Sequence, residues 1–418
     1  MADNARRQRL RWQVIGGIAA AVVAVGIVLA VVLLRGSGKP TATSTATGSP
    51  SASPTSPTPS ATMTPSSSPG SPSASAATVG PPGGPVPGGF APLSVTFISA
   101  SKGWVVGSAP CGRPPCTSLV RTRDGGATWQ GVPAPVIPLA MDGAQPVAIL
   151  RFADASNGWL AAGAQLQATH DGGVHWSAVT LPGLQPSGRI DSLETSAGTV
   201  DAWVVQSMSS SGAEPATLYY AAVGADAWTT VSSVSSASGA GGAISLAGRT
   251  GWVLVGDHQV FRTTDASTWQ ATPSPCPNQT STAIAIADAS TLYAACTGQG
   301  SAGGAMVDRT MVVSHDGGAT FHASPNPPQT GDYGGMAATP DGRTLALAVT
   351  SAGGASIQLS RDGGSTYSTP YSVNESQSGG LVDIGFTTGT QGVAIAEGQQ
   401  DSLLMTSDGG ATWRAVPF

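Results

Sequence analysis

At 418 residues the chain is long enough for two or three average domains, yet only 10% of it is charged, and it contains 56 Gly and 32 Pro. That composition favours turn-rich β structure over helices. The net charge of −5 is unevenly divided: residues 1–92 carry six Lys and Arg against one acid, and residues 93–418 carry twelve against twenty-two. An anionic globular part lacks the clustered cations that release counterions from a phosphate backbone, so nucleic acid is excluded as an expected partner.

Residues 1–13 form a short basic tail with Arg6, Arg7, Arg9 and Arg11. Val14 to Leu34 then runs for 21 residues without a charge, which as a helix reaches roughly 30 Å, the thickness of a bilayer core. Four Arg precede this run and only Arg35 and Lys39 follow it closely. The basic bias predicts a signal-anchor helix at 14–34, with the N-terminus cytoplasmic and the remainder outside the membrane. A cleaved signal peptide is the competing reading; its apolar core is shorter and ends in a small-x-small site, whereas this run exits through Val32-Leu33-Leu34-Arg35.

From Gly36 to Pro92 the chain is Ser, Thr, Pro, Ala and Gly, with Phe90 as its single aromatic. Too little apolar surface exists there to offset chain entropy, which predicts a disordered, extended stalk. Ser and Thr with Pro is also the composition of O-glycosylated stalks, and a bare linker fits equally.

Beyond residue 93 two elements alternate. One is a turn: TRDGGATW at Thr122 to Trp129, THDGGVHW at Thr169 to Trp176, SHDGGATF at Ser314 to Phe321, SRDGGSTY at Ser360 to Tyr367 and TSDGGATW at Thr406 to Trp413. TTDASTW at Thr263 to Trp269 is one residue short, and Ala225 to Trp228 is a worn seventh copy. The aspartates concerned are Asp124, Asp171, Asp226, Asp265, Asp316, Asp362 and Asp408. The other element is a short apolar strand, a turn and a second strand opening on Trp104, Trp159, Trp203, Trp252, Tyr293, Leu345 or Val393. A period of 40 to 50 residues suits a four-stranded propeller blade. Seven copies predict an all-β fold, a seven-bladed β-propeller over 93–418, preceded by one transmembrane helix and a disordered linker. In each blade, strands A and B precede strand C, the Asp turn and strand D. Asp is suited to accept turn N–H groups, Gly to supply positive φ, and the aromatic to pack beneath.

The pattern S/T-x-D-x-G-x-T-W resembles the Asp-box repeat shared by sialidases, Vps10-type sorting receptors, some glucan hydrolases and photosystem II assembly factors. DGG-x-T-W with an upstream G-W-x-V-G most resembles the last group, seven-bladed propellers that act as assembly factors rather than enzymes. The resemblance implies the fold strongly; function varies among its members.

Four cysteines, Cys111, Cys116, Cys276 and Cys296, all fall in the exported part. An even number in an oxidising compartment predicts disulfides, with Cys111 to Cys116 across the CGRPPC loop and Cys276 to Cys296 as the favoured pairing. No flanking His or CxxC spacing supports a metal site, and no cofactor is expected.

A sialidase, as the resemblance implies, would need an Arg triad, a Tyr nucleophile with a Glu partner and an Arg-Ile-Pro motif. Only Arg189-Ile190-Asp191 begins like that motif, and it follows the first two boxes. A neutral-glycan hydrolase needs two carboxylates flanking the bond. Setting aside the box aspartates and those read as A to B turn residues (such as Asp154, Asp201, Asp288 and Asp341) leaves candidates that include Asp191, Glu194, Asp257, Asp308, Asp332 and Asp383. No catalytic residue is assigned, and a cell-surface glycosidase stands as the alternative to a binding scaffold.

Antiparallel order puts the A to B turns and the boxes at one end of every blade, and the B to C and D to A loops at the other. Irregular insertions at 109–118, 208–217, 298–308 and 368–378 predict that a protein or cell-envelope glycan binds the end opposite the boxes. Arg151, on strand A of blade 2, stands where other repeats have small residues; it is either an anchor for an anionic ligand or a buried structural arginine. A monomer in the cell membrane is expected.

Overall fold

The computed structural model describes residues 84–111, 116–142, 145–206, 214–236, 242–255, 259–277, 280–297, 309–327, 332–351, 354–374, 378–398 and 402–418. The basic tail, the 14–34 run and the stalk as far as residue 83 lie outside them, as do 112–115, 208–213 and 298–308 of the expected insertions. Among the described residues no helix is long and apolar enough to cross a membrane.

Each repeat folds into one four-stranded antiparallel sheet with its strands in chain order, giving seven blades. Blade 1 comprises Ala91–Phe97, Gly103–Ala109, Cys116–Thr122 and Gln130–Val132 as strands A to D. Blade 7 comprises Ser378–Phe386, Gly392–Gly398, Ser402–Thr406 and Arg414–Ala415. The A strands of successive blades touch one another, which places them at the centre of the ring. Strand B is covered on both faces, as in Thr199–Val205, where every residue is buried. Its continuous apolar run reflects this double burial.

Packing explains the Gly-Trp step at the start of strand B. A Cβ on Gly103 would lie 2.7 Å from the Phe97 ring, and that ring meets the box residue Trp129 edge-on at 6.2 Å. Phe152, Gly158 and Trp176 repeat the trio in blade 2, as do Phe386, Gly392 and Trp413 in blade 7. Glycine makes room for one aromatic to lie across the strand, and the box aromatic caps it. The Trp that follows is turned toward the next blade: Trp104 stacks on Phe152 with centroids 4.0 Å apart.

Among the described residues every sheet uses strands consecutive in the chain, and no strand is exchanged between the first and last blades. Side chains close the ring instead. Val95, Val105 and Val120 of blade 1 pack with Val393, Ile395 and Leu403 of blade 7. Phe418 meets Phe90 at 4.9 Å and Trp129 at 5.5 Å, and the Gln391 amide donates to the Ala100 carbonyl at 2.9 Å.

Three local features depart from the sequence reading. In blade 6 the residue paired with Ala337 is Ala346, as Arg151 is paired with Trp159, so Ala346 rather than Leu345 occupies the aromatic position. The preceding turn is longer: the Thr339 N–H reaches the carbonyl of Thr344, whereas Ile98 reaches only Lys102. Residues 368–378 are not an irregular insertion, because Ser368–Asn374 forms strand D of blade 6. An unforeseen pair of short strands, Ala140–Asp142 and Gln145–Val147, stands in the D to A connection between blades 1 and 2.

Candidate binding faces and the central arginine

At the box end the turn is closed by its own side chains. In blade 1 the Thr122 hydroxyl donates to Asp124 Oδ1 at 2.8 Å and accepts the Gly126 N–H at 2.9 Å. The same Oδ1 accepts the Thr128 N–H at 2.9 Å, and the Thr128 hydroxyl donates to Oδ2. Blades 5, 6 and 7 repeat this set around Asp316, Asp362 and Asp408. In blade 2, His175 replaces the threonine, and its Nδ1 meets Asp171 Oδ2 at 2.6 Å. Donors crowding a carboxylate favour its charged form. The Thr128 hydroxyl and amide thus hold Asp124 down to about 2, and Thr366 and Thr412 do the same for Asp362 and Asp408.

The box also joins blades. Its first glycine N–H donates to the A to B turn of its own blade, as Gly125 does to the Ser101 carbonyl at 2.9 Å. Its second glycine abuts the preceding blade: a Cβ on Gly126 would meet the Met405 sulfur, and one on Gly318 would meet the Trp252 ring. Trp104 Nε1 of blade 1 donates to the Gly172 carbonyl in the box of blade 2.

Two boxes are reduced. In blade 4, Asp265 still accepts the N–H groups of Ser267 and Thr268, at 2.9 and 2.7 Å, and Ala266 holds a positive φ of 62°. In blade 3, Asp226 at φ 47° is held by His170 of blade 2, whose Nε2 lies 2.8 Å from its carboxylate.

Asp201, read from the sequence as a turn residue, lies within strand B of blade 3 and is fully buried. Trp269 Nε1 of blade 4 donates to its Oδ1 at 3.2 Å. Burial pushes the carboxyl up to about 7 against the hydrogen bonds of Trp269 and Thr199. The single Thr199 hydroxyl proton is directed at the Ser196 carbonyl, 2.7 Å away, so a protonated Asp201 can donate to the Thr199 oxygen.

Arg151 sits among the A strands at the ring's centre. Its Nη2 donates to Glu194 Oε1 of blade 3 at 2.9 Å and to Asp383 Oδ1 of blade 7 at 3.0 Å. Its Nη1 reaches the Leu150 carbonyl and the Ser94 hydroxyl, at 2.9 and 3.3 Å. Asp383 Oδ2 accepts the Ser94 hydroxyl and the Val95 N–H, both at 2.7 Å, which ties blade 7 to blade 1. Asp383 reaches them from a bulge in strand A, at φ 51°. Burial alone would lower the Arg151 pKa, but Asp383 and Glu194 together raise it above the ordinary arginine range. Burial likewise pushes Glu194 up, against the pull of Arg151.

Among the described residues, these are the two hydrolase candidates that converge. Sharing one nitrogen, their oxygens are at most about 6 Å apart, close to the spacing of a retaining glycosidase pair. The guanidinium fills the gap, however, and a glycosidic oxygen would have to displace it. Asp191 is tied to Arg189, while Asp257 and Asp308 lie outside the described residues. Among the described residues no group of His, Cys, Asp or Glu is arranged to hold a metal ion. Sequence reasoning singled out Arg151, and separately Glu194 and Asp383 as candidate carboxylates, but not their convergence; the signal available was the extra residue in strand A of blade 7.

At the opposite end, Cys111–Cys116 bridges the B to C loop of blade 1 and Cys276–Cys296 joins the D to A connection to strand B of blade 5, with Cα separations of 5.7 and 5.5 Å.

Comparison with known proteins agrees with this architecture. The family model described as photosynthesis system II assembly factor YCF48 matches residues 86–404. Among solved structures, YCF48 bound to a D1 peptide is similar at 19% identity and TM-score 0.51, covering 78% of this chain and 95% of that one. An ancestral GH74 enzyme is similar at 12% identity and TM-score 0.53, covering 81% of this chain and 47% of that one. A puromycin-hydrolysing peptidase of Mycobacterium tuberculosis is similar at 13% identity and TM-score 0.52, covering 80% and 56%. The chain spans about half the length of those two enzymes, and at such identities the likeness concerns the fold alone. No curated protein matches in sequence. The family match extends over most of the chain, from the lead into blade 1 to strand C of blade 7, and the chain belongs to the YCF48-type propeller family.

Proposed function

We propose that the chain is a binding or assembly scaffold: a propeller held outside the membrane by the 14–34 helix and its stalk, taking a protein or cell-envelope glycan on the face opposite the boxes. A protein is the favoured partner, since the YCF48 structure it resembles holds a peptide. The observation that carries this reading is the closure of Glu194 and Asp383 on Arg151. The carboxylates that would serve a glycosidase act here as one polar clasp across blades 2, 3 and 7. Box aspartates are equally committed to their own turns. That leaves the loop end as the surface free to vary, carried on a rigid ring.

A photo-crosslinking residue placed at exposed Gln165, on the loop end of blade 2, or at exposed Thr128, in a box, tests the reading in the full chain. Exposed to envelope extract, the Gln165 variant is expected to trap one protein species and the Thr128 variant none. Trapping from Thr128 alone would overturn the proposed face. Release of reducing sugar from envelope polysaccharide, abolished by Glu194→Gln, would establish the glycosidase instead.

A further inference from the structure

Between the box ends of blades 1 and 2 lies a cavity of about 240 Å3, lined by Lys102, Trp104, Arg121, Thr122, Arg123 and Ala155. Three cations thus meet at one crevice, in a propeller whose acids outnumber its bases twenty-two to twelve. We propose that this crevice is an oxyanion site, taking one carboxylate or phosphate group of a small ligand, separate from the partner surface at the loop end.

Charge balance is the first argument. Arg151 and Arg189 hold carboxylates, but among the described residues Lys102, Arg121 and Arg123 form no ion pair. Neighbouring acids stay charged but direct their oxygens at donors of their own turns. Asp124 is enclosed by Thr122 and Thr128. Asp154 accepts from Ser156 and Asn157, and Asp171 from Thr169, Val174 and His175. Among the described residues, no carboxylate is paired with the three cations of the crevice.

The second argument is an unmet donor. Arg121 Nε is buried without an acceptor, and buried donors are ordinarily satisfied. Burial and the charge of Arg123 also hold the Arg121 guanidinium below its ordinary range, a penalty that an anion would relieve.

Comparison with the other blades supplies the third. In blades 2 and 6 the residue between Thr or Ser and Asp in the box reaches the following blade: His170 bonds Asp226, and Arg361 donates to the Asp408 carbonyl at 3.2 Å. Arg123 occupies that position and makes no such bond. Arg262, the counterpart of Arg121 in blade 4, lies 5.9 Å from the Trp252 ring centre, and Arg249 of the same blade donates to the Asp265 carbonyl. Arg262 Nε is buried without an acceptor, as Arg121 Nε is, but blade 4 has no second cation in its box, since Thr264 stands where blade 1 has Arg123. The cavity suits a single small oxyanion, and guanidinium groups match carboxylate or phosphate oxygens in pairs.

Isothermal titration of the full chain in neutral detergent, with inorganic phosphate and separately with citrate, tests the proposal. At least one probe is expected to bind saturably at one site. Arg123→Gln should weaken it about tenfold and Arg121→Gln/Arg123→Gln further, as expected for lost charge-assisted bonds; Arg249→Gln should change nothing. Binding of phosphate alone assigns a phosphate ligand, and of citrate alone a carboxylate. Absence of saturable binding by both probes overturns the proposal, as does undiminished binding in the double variant. Should the double variant fail to fold, the exposed Arg123→Gln variant decides by the same criterion.

Discussion

The boxes of blades 5 and 4 carry out the same task with different means. Blade 5 has the full turn: Asp316 accepts the Thr320 amide and hydroxyl, and Gly318 is wedged against Trp252 of the preceding blade. Blade 4 lacks a residue. Its carboxylate still gathers two turn amides, so the cap survives, but the glycine wedge is gone. In its place Trp269 reaches back to blade 3 with an indole N–H to buried Asp201. A box is thus two devices, a self-sufficient turn and a contact between blades, and only the first is robust to shortening.

The largest effect should come from forcing the wedge out of a full box. Gly318→Ala would place a methyl into the Trp252 ring at a φ of 86° that L residues avoid. Overpacking and the left-handed backbone together should cost about 3 kcal/mol, read as a lowered urea midpoint at unchanged slope. A loss below about 1 kcal/mol would mean that the second glycine serves the turn alone.

The two kinds of aspartate should respond to pH in opposite directions. Box carboxylates Asp124, Asp362 and Asp408 titrate near 2 when folded, below their unfolded value. Their contribution is present above about pH 4 and is lost as pH falls through 2. Asp201 titrates near 7 when folded, above its unfolded value, so the protein loses stability as pH rises from about 4 to 7 and no further beyond. Asp201→Asn keeps an acceptor for Trp269 and offers its amide to Thr199, imitating the protonated acid. It should match the natural chain at pH 4 and exceed it by about 2 kcal/mol at pH 7. A variant no more stable at pH 7 would show that Asp201 is ionised and satisfied when folded.

How far the sequence disclosed this follows from the range of the contacts. Box turns were legible because every partner of Asp124 lies within four residues, so the turn's chemistry repeats as a string of letters. Seven blades followed from counting. Closure of the ring was not legible: Asp383 meets Ser94 and Arg151 from 289 and 232 residues away, and a bulge, not a motif, aims it. Asp201 was misplaced for a related reason. Its sequence neighbourhood, Thr199 to Ala202, resembles the turn aspartates of other blades, but the partner that fixes it is an indole 68 residues on. Arg121 stood in plain view as part of a repeat; that it forms no ion pair among the described residues could be seen only with the neighbouring blade in place.

The smallest effect concerns the shortened turn itself. Ala266 adopts a φ of 62° yet is buried, with 1% of its surface exposed. Replacing it with glycine relieves left-handed strain of about 1–2 kcal/mol. The same change forfeits a buried methyl, about 0.8 kcal/mol, and frees the unfolded chain by about 0.4–1 kcal/mol. These contributions nearly cancel, so Ala266→Gly should shift stability by less than about 0.5 kcal/mol, against the large loss from the opposite substitution at Gly318. Near-neutrality in urea denaturation would mean that blade 4 exchanged turn comfort for burial when its box lost a residue. A loss above about 1 kcal/mol would instead make Ala266 a packing residue in its own right, with the methyl taking over part of the contact that Gly318 provides in blade 5.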